Sequence, residues 1–588
     1  MKPNNFRLSL CRLIPGALLL LSCAGQSSLS SFPSSEGSLS DDQRTSLSSS
    51  GSSASSTDSG EAEQFSILAA SGDANCLYLE FAKAAGADGY KAYVRAEGES
   101  DWQRLDNELL RDYGSYMRLD ALGLRPGRHE VMVEAIAKGA VSQSLTSAPL
   151  SVSAYSREGF AFHDGHLPGA YQKDGTLKPG ALVLYVSDAN SSTIACEIQV
   201  DAKGKKEKAE GIQAILTLLK KGQEKRPLAV RFLGDVHTPE DFSSPKNASI
   251  CKGDLVLDGN GKYQAGITIE GVGNDAYFNG FGLRLKNISD AEVRNLGFLR
   301  CRSAEGDEVG LQQGNDHIYV HHCDFFYGEA GKDADQAKGD GSLDCKKSNY
   351  VSFSYNHFFD SGKCNLLGLS EKSGDYYATY DHNWYDHSDS RHPRIRYYSA
   401  HVYNNYYDGN AKYGLGACLG SSVFAEENYF RNCRYPLLTS MQGRDYKNSL
   451  QNHGKGMFSN EDGGSIKAFH NLIEGGTAPL YYAPELDSDG WDAYQAQTRE
   501  EKIPDSLRSK QGNNAYNNFD ASAALPPVDQ AADVPMIVTA KAGRLQRGDF
   551  RWSFDNGKDD ADYGINPALK EALWNYQSKL RSIGGLAE

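Results

Sequence analysis

Seven short segments between residues 292 and 473 share one register: an apolar residue, any residue, an apolar residue, two polar positions, then often Asn, any residue and an aromatic. They read EVRNLGF, IYVHHCDF, VSFSYNHF, ATYDHNWY, AHVYNNYY, VFAEENYF and IKAFHNLI. Asn383 to Asn405 is 22 residues and Asn405 to Asn428 is 23, whereas Cys323 to Asn356 (33), Asn356 to Asn383 (27) and Asn428 to Asn471 (43) are lengthened by loop insertions. A unit of this size holds one short strand and one Asn turn, too little to bury its own apolar face, so the units must stack as coils. Asn suits the turn because it tolerates left-handed backbone and its amide can bond the coils above and below. The expected fold is all-β, a right-handed parallel β-helix.

The repeat begins well into the chain, and composition organises what precedes it. At 588 residues the chain exceeds one ordinary core. Residues 1–22 carry Lys2, Arg7 and Arg12 and then an apolar run, Leu13 to Leu21, too short to span a bilayer, so they read as an export signal. The signal ends in Leu20-Leu21-Ser22-Cys23, which resembles a bacterial lipobox and implies lipidation of Cys23. Residues 23–64 are rich in Ser, Gly and acid and read as a disordered tether. Residues 65–154 alternate in short runs (LYLEF, YKAYV, HEVMVEAI, LSVSA) that suit a small β-sandwich. Its segment from Leu122 to Ala135 resembles the corner before a late strand of a fibronectin type III domain, with His129 where those domains usually carry tyrosine. Residues 155–588 form the β-helix domain. Two helices are expected as packing elements for the solenoid, Gly211–Leu219 covering one end and a second begun by Asn566 and Pro567, with Leu569, Leu573, Tyr576, Leu580 and Ile583 on one face.

A net charge of −15 with no basic tail argues against nucleic acid, so a polyanionic partner would need a local cationic groove. Of eleven cysteines, Cys11 lies in the signal and Cys23 is assigned, leaving an odd nine, widely scattered and with no CxxC pair. That argues against a zinc site or a disulfide-dense scaffold.

Three clusters carry chemistry. Arg391, Arg394 and Arg396 flank Pro393 in RHPRIR, where extended or turning backbone lets a planar guanidinium be aimed at a carboxylate. Asp340 and Asp344 face the same way on an extended strand while Leu343 points to the core, and Glu305-Gly306-Asp307 lies one coil earlier. Stacked carboxylates repel one another. A hard cation resolves the conflict, and an oxygen-only set favours calcium over zinc or copper.

The ordered set of EGD, DGSLD, Lys363-Cys-Asn-Leu-Leu-Gly368, RHPRIR and HVYNNYY resembles the calcium-dependent pectate lyases of polysaccharide lyase family one, from about Ser156 to the C-terminus. The strands ALVLYVSDAN and LAVRFLGDV are consistent with that family. The resemblance implies that Asp307, Asp340 and Asp344 ligate Ca²⁺ with Glu305 as a helper, that Lys363 and Arg396 bind a substrate carboxylate, and that Arg391 is the catalytic base. Arg394 takes a structural or secondary role, and His322, His382 and His401 fit the family's stacked polar turns. One departure bears on the internal support of a coil: Tyr319-Val320-His321-His322 stands where many members read Trp-Ile-Asp-His.

The implied activity is β-elimination on α-1,4-linked polygalacturonate, giving 4,5-unsaturated oligogalacturonates. Alternatives are a pectin lyase acting on methyl-esterified polymer, against which the retained aspartates argue, and a non-catalytic surface protein that holds pectin. A polygalacturonase would carry NTD, GHG and RIK motifs, and none of these strings occurs. The expected partner is the polymer alone, with a membrane met only through the lipid anchor and the chain a monomer. The expected location is that of an exported bacterial lipoprotein on the outer membrane or cell surface, or of a secreted protein.

Overall fold

The computed structural model describes residues 64–237, 253–302, 306–331, 334–371, 376–487, 489–507 and 525–586. The signal, Cys23, nearly all of the tether and Glu305 lie outside the described residues.

Each coil contributes one strand to each of three parallel sheets, so the apolar positions of successive coils stack in register. Among the described residues the first sheet has eleven strands, from Leu182–Ser187 to Tyr494–Gln495, the second nine and the third eight. The interior is continuous. Phe298, Phe325, Phe358, Tyr385, Tyr407 and Phe430 form one stack from coil to coil, with centroid separations from 4.1 to 5.3 Å. This is the parallel β-helix expected from the repeat.

The asparagines form a ladder at the bend between the first and second sheets. Nδ2 of Asn356, Asn383, Asn405 and Asn428 each donates to Oδ1 of the next Asn at 2.9–3.0 Å, ending on Asn471. The left-handed residue of each turn is the one before, at Tyr355, His382, Asn404, Glu427 and His470, with φ between 50° and 53°. Asn is therefore selected for its amide, which spans two coils, and the turn conformation falls to its neighbour.

The helix Ile212–Leu218 closes one end of the solenoid, with Ile212, Ile215 and Leu216 in the core cluster. The C-terminal helix departs from expectation. It runs only Pro567–Trp574, capped by Asn566, whose Oδ1 accepts from Leu569 N at 3.1 Å. It lies along a flank rather than over an end, with Leu569 and Leu573 packed on Tyr277, Leu299, Phe326 and Phe359. Ile583 belongs to a strand, Ser582–Ile583, so the apolar spacing that suggested one helix is divided between two elements. Trp491 and Ala493, just before the last strand of the first sheet, are both buried.

The sandwich has two antiparallel sheets. One contains Ile67–Asp73, Cys76–Ala82, Tyr116–Leu122 and Leu110–Asp112; the other contains Gln103–Arg104, Gly89–Ala96, Gly127–Ala137, Ala140–Thr146 and Leu150–Val152. The C-terminal strand Ser582–Ile583 completes the first by pairing with Arg111 and Asp112. His129 Nε2 lies 2.8 Å from the carbonyl oxygen of Arg125, four residues upstream. Leu233 and Val272 of the β-helix enter the sandwich core, so the described residues of the sandwich and the β-helix form one compact unit.

The linker after the sandwich crosses the outer face of the first sheet. Tyr319 Oη donates to Ser156 O at 3.1 Å, Tyr155 packs edge-on against His321 and His322, and Ala161 N donates to Ser352 Oγ at 3.0 Å. The coil with the unusual Tyr-Val-His-His sequence is thus supported from outside. Eight described cysteines, from Cys76 to Cys433, are all free thiols.

Candidate active site

The third sheet and the turns that feed it carry every described residue of the acidic and cationic clusters, while His322, His382 and His401 belong to the first sheet and the bends that follow it. Strand alternation decides which side chains face out. Ile395 is in the core, so Arg394 and Arg396 project from the outer face of their strand, Arg394–Arg396. Likewise Leu343 and Cys345 point inward, and Asp344 between them points out. Leu366 pairs with Arg394 and Leu367 with both Cys345 and Ile395, which places Asp344 and Arg394 two strand spacings apart, about 10 Å.

The acids converge around two glycines. A Cβ at Gly341 would fall 2.6 Å from Asp344 Oδ1 and 2.7 Å from Asp307 Oδ1, and one at Gly306 would fall 2.5 Å from Asp340 Oδ2. Gly306 also has a φ of 85°, which disfavours any other residue. Burial, then the nearby Asp344, push the Asp307 carboxyl up to about 8, with Asp340 adding to the effect and Arg284 and Lys346 opposing it. Asp340 is not part of the strand Leu343–Cys345, as the sequence suggested, but sits in the bend before it. There Lys363 outweighs burial and holds its carboxyl below the ordinary range, with Arg391 acting in the same sense. Oxygens of all three acids do not come within 4.8 Å of one another, and Lys346 stands 3.6 Å from Asp307 and 3.9 Å from Asp344. The donor set is oxygen-only and mutually repulsive, gathered against two glycines where no side chain would fit, and so suits a hard divalent cation such as Ca²⁺.

The cations lie on the adjoining coils. Lys363 Nζ is 2.6 Å from Asp340 Oδ1 and 3.4 Å from Asp335 Oδ2. Its turn stacks on that of Arg391: Cys364 N donates to Ser390 O at 3.0 Å and Asn365 N to Arg391 O at 2.7 Å. Arg391 has left-handed backbone, φ 63°, and is followed by a cis His392–Pro393 bond. Among the described residues its guanidinium forms no ion pair, whereas Arg394 and Arg396 both engage Glu461. All three arginines lie close enough to the buried Tyr413 hydroxyl to act on its ionisation.

Four supporting residues escaped the sequence reading. Arg284, buried one coil away, is 3.5 Å from Asp307 Oδ2 and donates to its carbonyl oxygen at 2.8 Å. Lys338 lies between Asp360 and Asp389, with its Nζ 2.8 Å from Asp389 Oδ1. Burial pushes Glu308, beside Asp307, well above the carboxylate range. Glu461 arrives from the 43-residue gap between Asn428 and Asn471, whose length was the only signal that something returns over the groove. A separate group, Asp386, His387 and Asp408 on the second sheet, is compact enough for a metal, but His357, Arg431 and Asp560 already engage it.

Residues 241–476 match the family model described as pectate lyase. Pectate lyase A of Emericella nidulans is 34% identical over 182 residues, 30% of this chain and 54% of that protein. A pectate trisaccharide-lyase of Bacillus licheniformis is 26% identical over 227 residues, 38% of this chain and 62% of that protein. The chain therefore spans little more than half the length of these relatives. A pectate lyase from Bacillus sp. N165 in complex with trigalacturonate superposes with a TM-score of 0.46 at 19% identity, covering 66% of this chain and 99% of that one. The part of the chain that matches the pectate lyase family model includes every strand of the acidic and cationic clusters described above.

Proposed function

We propose that the protein is a pectate lyase that cleaves unesterified polygalacturonate by β-elimination. The observation that carries this reading is the contact of Lys363 Nζ with Asp340 Oδ1 at 2.6 Å, because it joins an acid cluster to a cationic row on neighbouring coils. Asp307, Asp340 and Asp344 would hold Ca²⁺, which supplies positive charge beside the uronate carboxylate. Lys363 and Arg396 bind that carboxylate and neutralise the charge that spreads into it as the C5 proton leaves. Arg391 takes the proton; the C4–O bond then breaks, a C4–C5 double bond forms, and the leaving oxygen is protonated from solvent. A guanidine acts as a base only when its charged form is disfavoured. Among the described residues Arg391 forms no ion pair, whereas Arg394 and Arg396 both engage Glu461, which leaves Arg391 the arginine of the row open to the C5 proton.

The test is release of the unsaturated product, followed by its ultraviolet absorbance, from polygalacturonate with calcium. Turnover is expected to peak at alkaline pH and to vanish with a chelator or with Arg391→Lys. Binding without turnover would instead indicate a pectin-holding surface protein, and preference for methylated polymer a pectin lyase.

We also propose that the chain is an exported lipoprotein anchored through Cys23, on the charge and apolar pattern of residues 1–23, and that it acts as a monomer. The sandwich is proposed to be fibronectin type III-like, a reading supported by its strand order and by the His129 corner.

A further inference from the structure

We propose that Glu461 is a positioning residue that aims Arg396 at the substrate carboxylate; the proposal rests on the lyase reading above. Glu461 grips one edge of the Arg396 guanidinium, with Oε2 2.8 Å from Nε and Oε1 2.9 Å from Nη2. The same Oε2 accepts from Arg394 Nη2 at 3.0 Å and from Ser459 Oγ at 3.1 Å. The carboxylate cannot drift, because its backbone is tied to the third sheet. Glu461 O accepts from Ser440 Oγ at 2.7 Å, Asp462 O from Leu419 N at 2.6 Å, and Gly463 O from Gly420 N at 2.9 Å.

This arrangement has a geometric consequence. Guanidinium carries five N–H donors, and the grip on Nε and Nη2 takes two of them. Nη1 has only a long contact, 3.4 Å, to Gly368 O. The Nη1–Nη2 edge is therefore the one left to receive a second carboxylate. Without Glu461, two like-charged guanidiniums on one strand face would repel, and Arg396 would regain the rotamer freedom that binding must remove. Glu461 remains ionised throughout the working range: against burial, Arg396 and then Arg394 hold it down to about 2.

The test is a double-mutant cycle on the full chain, with polygalacturonate turnover as readout and melting temperature as a control for folding. Glu461→Ala is expected to lower kcat/KM about 10- to 100-fold, the scale of a misplaced contact. In an Arg396→Ala background the same change is expected to have less than about a twofold effect, since the group it acts through is gone. Glu461→Gln, which keeps an acceptor but not the charge, should fall between wild type and Glu461→Ala in kcat/KM. Equal losses in both backgrounds would make Glu461 merely structural, and a gain in kcat/KM would make it a competitor of the uronate; either overturns the proposal. An inactive wild type would defeat the lyase reading and this inference with it, whereas an active wild type with additive losses defeats the inference alone.

Discussion

Nζ of Lys363 lies 2.6 Å from Oδ1 of Asp340, so the cationic and acidic halves of the groove share an ion pair across two coils. The acid trio is poised against itself, and Asp307 bears most of the strain. Its carboxyl stands at about 8 in the folded chain against an ordinary value of 3.8. Between those values the folded state keeps a proton that the unfolded chain has released, so stability falls as pH rises through the window. Metal-free protein should therefore lose melting temperature between about pH 5 and pH 8 more steeply than Asp307→Asn does. Calcium should flatten the wild-type slope by replacing the proton. Calorimetric scans at several pH values check this, and equal slopes for the two metal-free proteins would refute it.

Lys338 holds three turns of the site together. It is 6% exposed, and its partners Asp360 and Asp389 sit three and two residues before Lys363 and Arg391, while Lys338 itself is two before Asp340. Lys338→Met would leave two buried acids without their shared cation, at a cost of about 3–5 kcal/mol, the range for breaking a buried pair. Denaturant unfolding measures that loss. Because the turns would shift together, kcat should fall more than KM rises. An unchanged midpoint would show that water already screens these groups.

The repeat was legible because a solenoid imposes the same demand on every coil: apolar residues inward and an amide at the bend. The site clusters were legible for a related reason, since Asp344, Lys363 and Arg391 occupy short, locally determined stretches. Glu461 was not, because it pairs with Arg396 across 65 residues and nothing local marks a glutamate that turns back on a strand. Lys338 was hidden likewise, its partners lying 22 and 51 residues away. The C-terminal helix was overextended because an apolar spacing of three and four cannot show that Leu580 and Ile583 lie beyond the helix end at Trp574.

Asn383 tests the ladder itself. It is fully buried, its Nδ2 donates to Phe353 O and Asn405 Oδ1, both at 2.9 Å, and its Oδ1 accepts from Asn356 N and Nδ2 at 3.0 Å. Asn383→Ala would strand several groups that water cannot reach, and each unsatisfied donor or acceptor costs about 1–3 kcal/mol. The expected result is a loss of at least about 2 kcal/mol by denaturant unfolding, with native-like far-ultraviolet dichroism retained. A loss below about 0.5 kcal/mol would mean that the ladder is incidental to stability.

The sandwich depends on the rest of the chain, and Arg111 shows how. Its side chain is 0% exposed, and Nη1 donates to Asp275 Oδ1 at 2.9 Å and to Val272 O at 3.1 Å, both in the β-helix. Tyr113 Oη adds a bond to Asp275 Oδ2 at 2.7 Å. One residue from Arg111, Asp112 pairs with the C-terminal strand, while Asn107 Oδ1 accepts from Gly585 N at 2.8 Å and Leu586 N at 3.0 Å. The sandwich therefore gets its last strand from the far end of the sequence, and Arg111, which already pairs with Asp120 of its own sheet, gets a second buried counter-charge from a neighbouring coil. Asp275→Ala should lower stability by about 3–5 kcal/mol, since it removes one partner of a buried pair. Truncation after Arg581 should lower the melting temperature while leaving kcat within about twofold, because the groove is built on the third sheet and its turns. Separate melting of the sandwich and the β-helix in the truncated chain alone would identify the C-terminal strand as what makes their unfolding cooperative, and an unchanged melting temperature would show that it contributes nothing.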